Sequence, residues 1–151
     1  MKKILLVMLM LLFTATSAVC GEFEDVLNKA EQGDADAQVR LGTMYYDGQG
    51  VTQDYKQAVY WYKKAAEQGH AGAQHNLGFV YAEGQGVTPD LKLAYVWSSL
   101  AASQGKGINN RDVIAKMLTP QELSEAQDEA AKLQSQIDSQ SETDIQSETK
   151  D

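Results

Sequence analysis

Beyond Cys20, this chain of 151 residues has no cysteine. No disulfide framework can hold the fold, even in an oxidising compartment, so stability has to come from packing. Positive charge is scarce as well: 13 Lys and Arg stand against 21 Asp and Glu. Lys2 and Lys3 fall within the first 20 residues, which leaves 11 against 21 and a net charge of −10 beyond them. Neutralising phosphates takes clustered Lys and Arg, so the charge argues against nucleic acid and anionic lipid as partners. Histidine occurs twice, at His70 and His75. Five residues apart on a helix, the two point in different directions and make a poor zinc pair. No serine sits in a strained elbow that either could activate. The glycine pairs Gly48-x-Gly50 and Gly84-x-Gly86 lack the strand–turn–helix setting of a phosphate cradle, and no Lys-Ser/Thr follows them. Carboxylate pairs such as Asp34 with Asp36 read as solvated faces. The expectation is a chain with no enzymatic activity, no cofactor and no metal.

Long apolar runs are also missing, except at the start. Lys2 and Lys3 precede the apolar run Ile4 to Phe13, and the small-residue stretch Thr14 to Ala18 follows. This is the layout of a bacterial secretory signal over residues 1–20, too short for a stable membrane span. Cleavage after Ala18 or after Cys20 both satisfy a small-residue rule. A lipoprotein signal would instead make Cys20 the first mature residue and attach lipid to it, although the bulky Val19 precedes it. The implied location is periplasmic or secreted, with an outer-membrane lipoprotein as the form that lipidation of Cys20 would give.

What the chain does have is a repeat. Residues 33–68 align without a gap on residues 69–104, and 19 of the 36 positions are identical. A unit of this length cannot bury its apolar face alone and stacks on its neighbours into a solenoid. Residues 21–32 place Phe23, Val26, Leu27 and Ala30 at helical spacing, a half-repeat that caps the start. Each full repeat splits into two helices. The first runs from about Ala35 to Tyr46 with Ala37, Leu41 and Tyr45 on one stripe, and the loop Asp47 to Val51 ends it. Asp54 caps the second, which turns Ala58, Trp61, Tyr62 and Ala65 inward. The second copy repeats this with Ala73, Leu77, Tyr81, Asp90, Ala94, Trp97 and Ala101. Gly42, Gly78, Ala58 and Ala94 are small enough to let helix backbones approach closely.

After Gly105 the repeat decays. Asn109 or Asn110 is placed to cap a short helix bearing Val113, Ile114, Met117 and Leu118. Thr119-Pro120-Gln121-Glu122 is a helix start with a cap, a proline in the first turn and a returning glutamate. Leu123, Ala126, Ala130, Leu133 and Ile137 carry that helix on one face. Residues 105–137 thus read as a degenerate third unit with a C-terminal capping helix. Residues 138–151, nearly free of apolar side chains and containing Gln-Ser-Glu-Thr twice, read as a disordered acidic tail.

The motif Ala-Gln-x-x-Leu-Gly-x-x-Tyr, then Gly-x-Gly-Val, Asp, Ala, Trp and Ala-Ala over 36 residues, resembles the Sel-one-like repeat family, a branch of the tetratricopeptide-like α-solenoids. The resemblance covers residues 33–104. It implies an all-α fold of antiparallel helix pairs and an adaptor role, binding proteins or peptides, often at the bacterial envelope. Some cysteine-rich relatives are associated with β-lactam binding or weak hydrolysis. Their repeats are tied by cysteine pairs that this chain lacks, so an envelope hydrolase is the disfavoured alternative.

A candidate binding face follows from helical geometry at about 100° per residue. With Leu41 inward, Val39, Thr43, Tyr46, Asp36 and Asp47 lie on the far side of the first helix. The second copy puts Gly72, His75, Phe79, Ala82 and Glu83 there. In a solenoid this side of the first helix lines the concave surface. The two copies differ at nearly all these positions while their core stripes agree. Val39, Thr43, Tyr46, Asp47, His75, Phe79 and Glu83 are therefore the expected partner-binding residues, suited to a peptide with apolar and basic features. The competing reading is that Val39 and Phe79 pack against the adjacent helix.

Overall fold

The structure, a computed structural model, describes residues 21–148. The expected signal segment with Cys20, and residues 149–151 of the expected tail, lie outside the described residues. Seven helices and no strands make up what is described. They are α1 (residues 21–31), α2 (Ala35–Asp47), α3 (Tyr55–Glu67), α4 (Ala71–Glu83), α5 (Leu91–Ser103), α6 (Ile108–Ala115) and α7 (Pro120–Glu148). The all-α solenoid expected from the period is present.

Local chemistry explains each boundary. Asp34 accepts a bond from the Ala37 backbone N–H at 2.8 Å and opens α2. Asp54 accepts from Lys56 and Gln57 to open α3, and Asp90 accepts from Leu93 to open α5. These carboxylates satisfy donors that the first helical turn leaves unpaired. Helices α2 and α4 both stop at a glycine in the left-handed region, Gly48 at φ 71° and Gly84 at φ 73°, which a residue with a Cβ adopts only under strain.

The helices pair as α2 on α3 and α4 on α5, with α3 packed on α4 between the two hairpins. Leu41, Leu77, Ala58 and Ala94 are completely buried, and Trp61 and Trp97 nearly so. Close packing depends on the two predicted glycines. A Cβ on Gly42 would lie 2.7 Å from the Tyr62 ring, and one on Gly78 would lie 2.2 Å from Ser98 Oγ. Each junction between units is also fastened by a pair of amides. Gln38 donates to the Ala30 carbonyl and accepts from Gln68, while Gln74 donates to the Ala66 carbonyl and accepts from Gln104. Buried Gln38 and Gln74 are thereby satisfied on both ends of the amide.

The closing segment differs from expectation in three ways. The cap of α6 is Gly107, in the left-handed region and without a side-chain bond; Asn110 instead donates to Ser98 Oγ. Ile114 is buried and Leu118 half-buried, but Val113 and Met117 are exposed. The reason is that α6 and α7 each pack on α5 and scarcely on one another, so no antiparallel partner covers α6. Third, α7 does not stop near Asp138 but continues to Glu148. No proline or glycine interrupts it, and polar side chains bond along its own turns: Gln134 to Asp138, Ser139 to the Gln136 carbonyl and Thr143 to the Ser139 carbonyl. Its start is the predicted reciprocal cap, with Glu122 N–H donating to Thr119 Oγ1 and Thr119 N–H donating to Glu122 Oε2.

Candidate functional site

Helices α2 and α4 carry the residues of the predicted face, and their side chains divide into a built framework and an open surface. Val39 is half-buried against the main core. Thr43 donates to the Val39 carbonyl at 3.0 Å, which leaves its oxygen to accept from the Tyr62 hydroxyl at 3.1 Å. Tyr62 rises from α3 beneath Gly42, so a residue of the second helix reaches the face through the gap that the glycine opens. Burial pushes the Tyr62 phenol above its ordinary pKa. Tyr46 donates to Gln85 Oε1 and packs edge-on against Tyr55, with ring centroids 5.2 Å apart. Partial burial, and then Tyr55 beside it, raise the Tyr46 pKa as well.

Gln53 donates to both the Tyr46 carbonyl and the Tyr55 hydroxyl, and the Tyr55 backbone lies directly over Gly86. The two interhelical loops are therefore locked together at one end of the face. His75 is half-buried, its ring pressed against Gly107, and its Nδ1 has no hydrogen-bond partner among the described residues. What remains open is Phe79, 43% exposed, with the exposed carboxylates Asp47 and Glu83. Among the described residues neither carboxylate has an ion-pair partner. Of the seven predicted residues, then, Asp47, Phe79 and Glu83 stand ready for contact. Val39, Thr43, Tyr46 and His75 are half-buried in the framework that carries them.

Sequence reasoning missed Tyr62, Tyr55 and Gln85. Tyr62 was assigned wholly to the core; the signal that could have found it is its replacement by Ser98 in the second copy, at a helix whose other inward positions agree. His70, which the sequence marks only as a poor zinc ligand, has a structural role. Its Nδ1 accepts from the Ala73 N–H at 3.2 Å and caps α4, while Nε2–H donates to Asp36 at 2.9 Å. It occupies in the second unit the position that Asp34 holds in the first. Both ring nitrogens are engaged, so neither is free to act as a base. Among the described residues, no group of three or more His, Cys, Asp or Glu could hold a metal ion, and no helix is long and apolar enough to cross a membrane.

The Sel1 repeat, as a sequence family, matches residues 35–70 and 71–106. Residues 35–106 of this chain are two Sel1 repeats. Its curated relative EsiB, a secretory immunoglobulin A-binding protein of Escherichia coli, is 40% identical over 67 residues, covering 42% of this chain and 14% of EsiB. Among solved structures, a protective antigen of uropathogenic Escherichia coli strains with an SLR fold superposes with a TM-score of 0.75 at 32% identity, over 83% of this chain and 27% of the antigen. A Sel1 repeat protein of Oxalobacter formigenes gives a TM-score of 0.54 at 41% identity, over 55% of this chain and 63% of that one. This chain thus spans a small part of the two E. coli proteins and under two thirds of the third. Sel1-repeat proteins are protein-interaction modules.

Proposed function

We propose that this protein is a periplasmic or secreted adaptor that holds a peptide segment of a partner protein on the α2/α4 face. The observation that carries this reading is the contrast between the repeats: their core stripes agree while their outward positions diverge. Thr43 is replaced by Phe79, Tyr46 by Ala82 and Val39 by His75 in the second copy. Phe79 supplies an aromatic anchor, and Asp47 and Glu83 favour a basic segment around it. The immunoglobulin binding that gives EsiB its name supports a protein partner; its greater length leaves the identity of that partner here open to experiment.

The test is capture from fractionated bacterial cells by the chain expressed with residues 1–20. Recovery of one envelope protein by the wild type, lost with Phe79→Ala combined with Asp47→Lys and Glu83→Lys, is the expected result. All three side chains are exposed, so the thermal midpoint should stay within a degree or two. Retention of the partner by the triple variant would remove the α2/α4 face from the interaction. Recovery of the chain in the cytoplasmic fraction would remove the envelope assignment.

A further inference from the structure

Helix α7 shows how a helix docks on the second helix of a unit, and the first unit offers the same seat without an occupant. Lys92 and Tyr95, in the first turns of α5, meet Glu125 and Gln127 in the first turns of α7. Further along, Val96 and Leu100 share one buried cluster with Ala126, Ala130 and Ile137. The corresponding residues of α3, one period of 36 earlier, are Lys56, Val59, Tyr60 and Lys64, with Lys63 in the place of Ser99. Val59 is buried there, but the rest of the face is open: Tyr60 is 50% exposed where Val96 is 1% exposed, and Lys64 is exposed where Leu100 is buried. Lys56 holds the place of Lys92 but has no carboxylate partner among the described residues.

We propose that this face of α3 is a second docking site, independent of the α2/α4 face, for an acidic amphipathic helix of a partner protein laid along α3 as α7 lies along α5. Three observations fix the chemistry of the occupant. At about 100° per residue, Lys56, Tyr60, Lys63 and Lys64 fall within one third of the helix circumference, a concentrated positive stripe on a strongly acidic protein. The lysines are held by little else: Lys63 reaches Glu67 only at 3.8 Å, and Lys64 lies over the Tyr60 ring at 5.2 Å. Beside the end of this stripe runs a groove of about 1310 Å³ between α3 and α7, with Lys64, Glu67 and Gln68 on one side and Leu133, Ile137 and Gln140 on the other. That volume exceeds the roughly 300–1,000 Å³ of small-molecule sites. Where α5 offers α7 mainly apolar contacts, α3 substitutes lysines around one tyrosine, so the helix that fits sets acidic side chains beside a narrow apolar stripe. A second copy of this chain cannot supply it, because the apolar stripe of α7 is turned inward onto α5.

The probe is a fluorescent peptide carrying residues 120–137 of this chain, whose docking chemistry α7 defines, titrated into the full chain by anisotropy. A peptide of the same composition in scrambled order is the control. Binding that weakens with salt, falls roughly tenfold or more with Lys56→Glu, Lys63→Glu and Lys64→Glu together, and is weakened by Tyr60→Ala is expected, with helicity gained on binding. Circular dichroism and the thermal midpoint of the variants verify that they remain folded, as the exposure of all four side chains predicts. Absence of binding, equal binding of the scrambled peptide, or indifference to the triple reversal would overturn the proposal. So would a loss seen only with Lys92→Glu, which would place the peptide on α5 in exchange for α7. A concentration-dependent dimer of the chain alone, abolished by the triple reversal, would also overturn it by making a second copy the occupant.

Discussion

Single residues in this fold do their work through size and through the ends of helices. Gly42→Ala drives a methyl into the Tyr62 ring, so it should lower stability by about 1–3 kcal/mol, read as a falling thermal midpoint. It should also displace the Tyr62 hydroxyl from Thr43, visible in the near-ultraviolet circular dichroism. His70→Ala removes the α4 cap and the bond to Asp36 together, and should cost about 1 kcal/mol in chemical denaturation; His70→Asp, which restores the cap chemistry of Asp34, should recover part of that. The caps were legible in the sequence where an aspartate stood at the expected place, because such a side chain has one obvious backbone partner. His70 was not, since a histidine earns that reading only once its ring nitrogens are seen to be engaged on both sides. The same holds for Tyr62: its inward direction follows from helical spacing, but the reach of its hydroxyl past Gly42 depends on the distance between two helices.

At the scale of elements, periodicity placed the four helices of the two repeats, since the same stripe recurs 36 residues later and confirms itself. The closing helices had no such second copy to check against. The spacing in α6 marked Val113 and Met117 as inward, yet inwardness needs a covering helix, and α7 leaves α6 to lie on α5. The end of α7 was misread because few apolar residues argue against burial, not against helix. Removing residues 138–148 should therefore reduce the far-ultraviolet helical signal while leaving the thermal midpoint nearly unchanged, because residues 138–143, the last of α7 whose burial is described, are all exposed. The opening of α7 is sensitive to acid. The bond from the Thr119 N–H holds the Glu122 carboxyl below the usual carboxylate range, and Lys92 does the same for Glu125. Groups with lowered values in the folded state contribute stability above their ordinary range and lose it as pH falls through the lowered values. Docking of α7 should hold from neutral pH down to the ordinary carboxylate range and weaken below it. Glu122→Gln together with Glu125→Gln should flatten that acid limb in a titration followed by circular dichroism.

Across the whole molecule, the repeat carries the fold and its variation carries the candidate face. The sequence comparison of the two units located that face, but not which members of it are structural, because half-burial arises only when both units and their loops meet. The amide clasps have a consequence of their own. Gln38 with Gln68 and Gln74 with Gln104 are the same joint used twice, and at the third joint stands Asn110, one methylene shorter, its amide turned to Ser98. Array length here is governed by a coupling that can be copied. A chain with an additional copy of residues 69–104 inserted after Gln104 recreates the full joint before the closing helices. Its thermal midpoint should rise, as stability in such arrays grows with each added interface. A midpoint below that of the parent would show that the closing helices recognise something in the second unit beyond its joint. The molecule would then behave as a ruler of adjustable length, in which reach along a partner is altered in steps of one unit without redesigning either end.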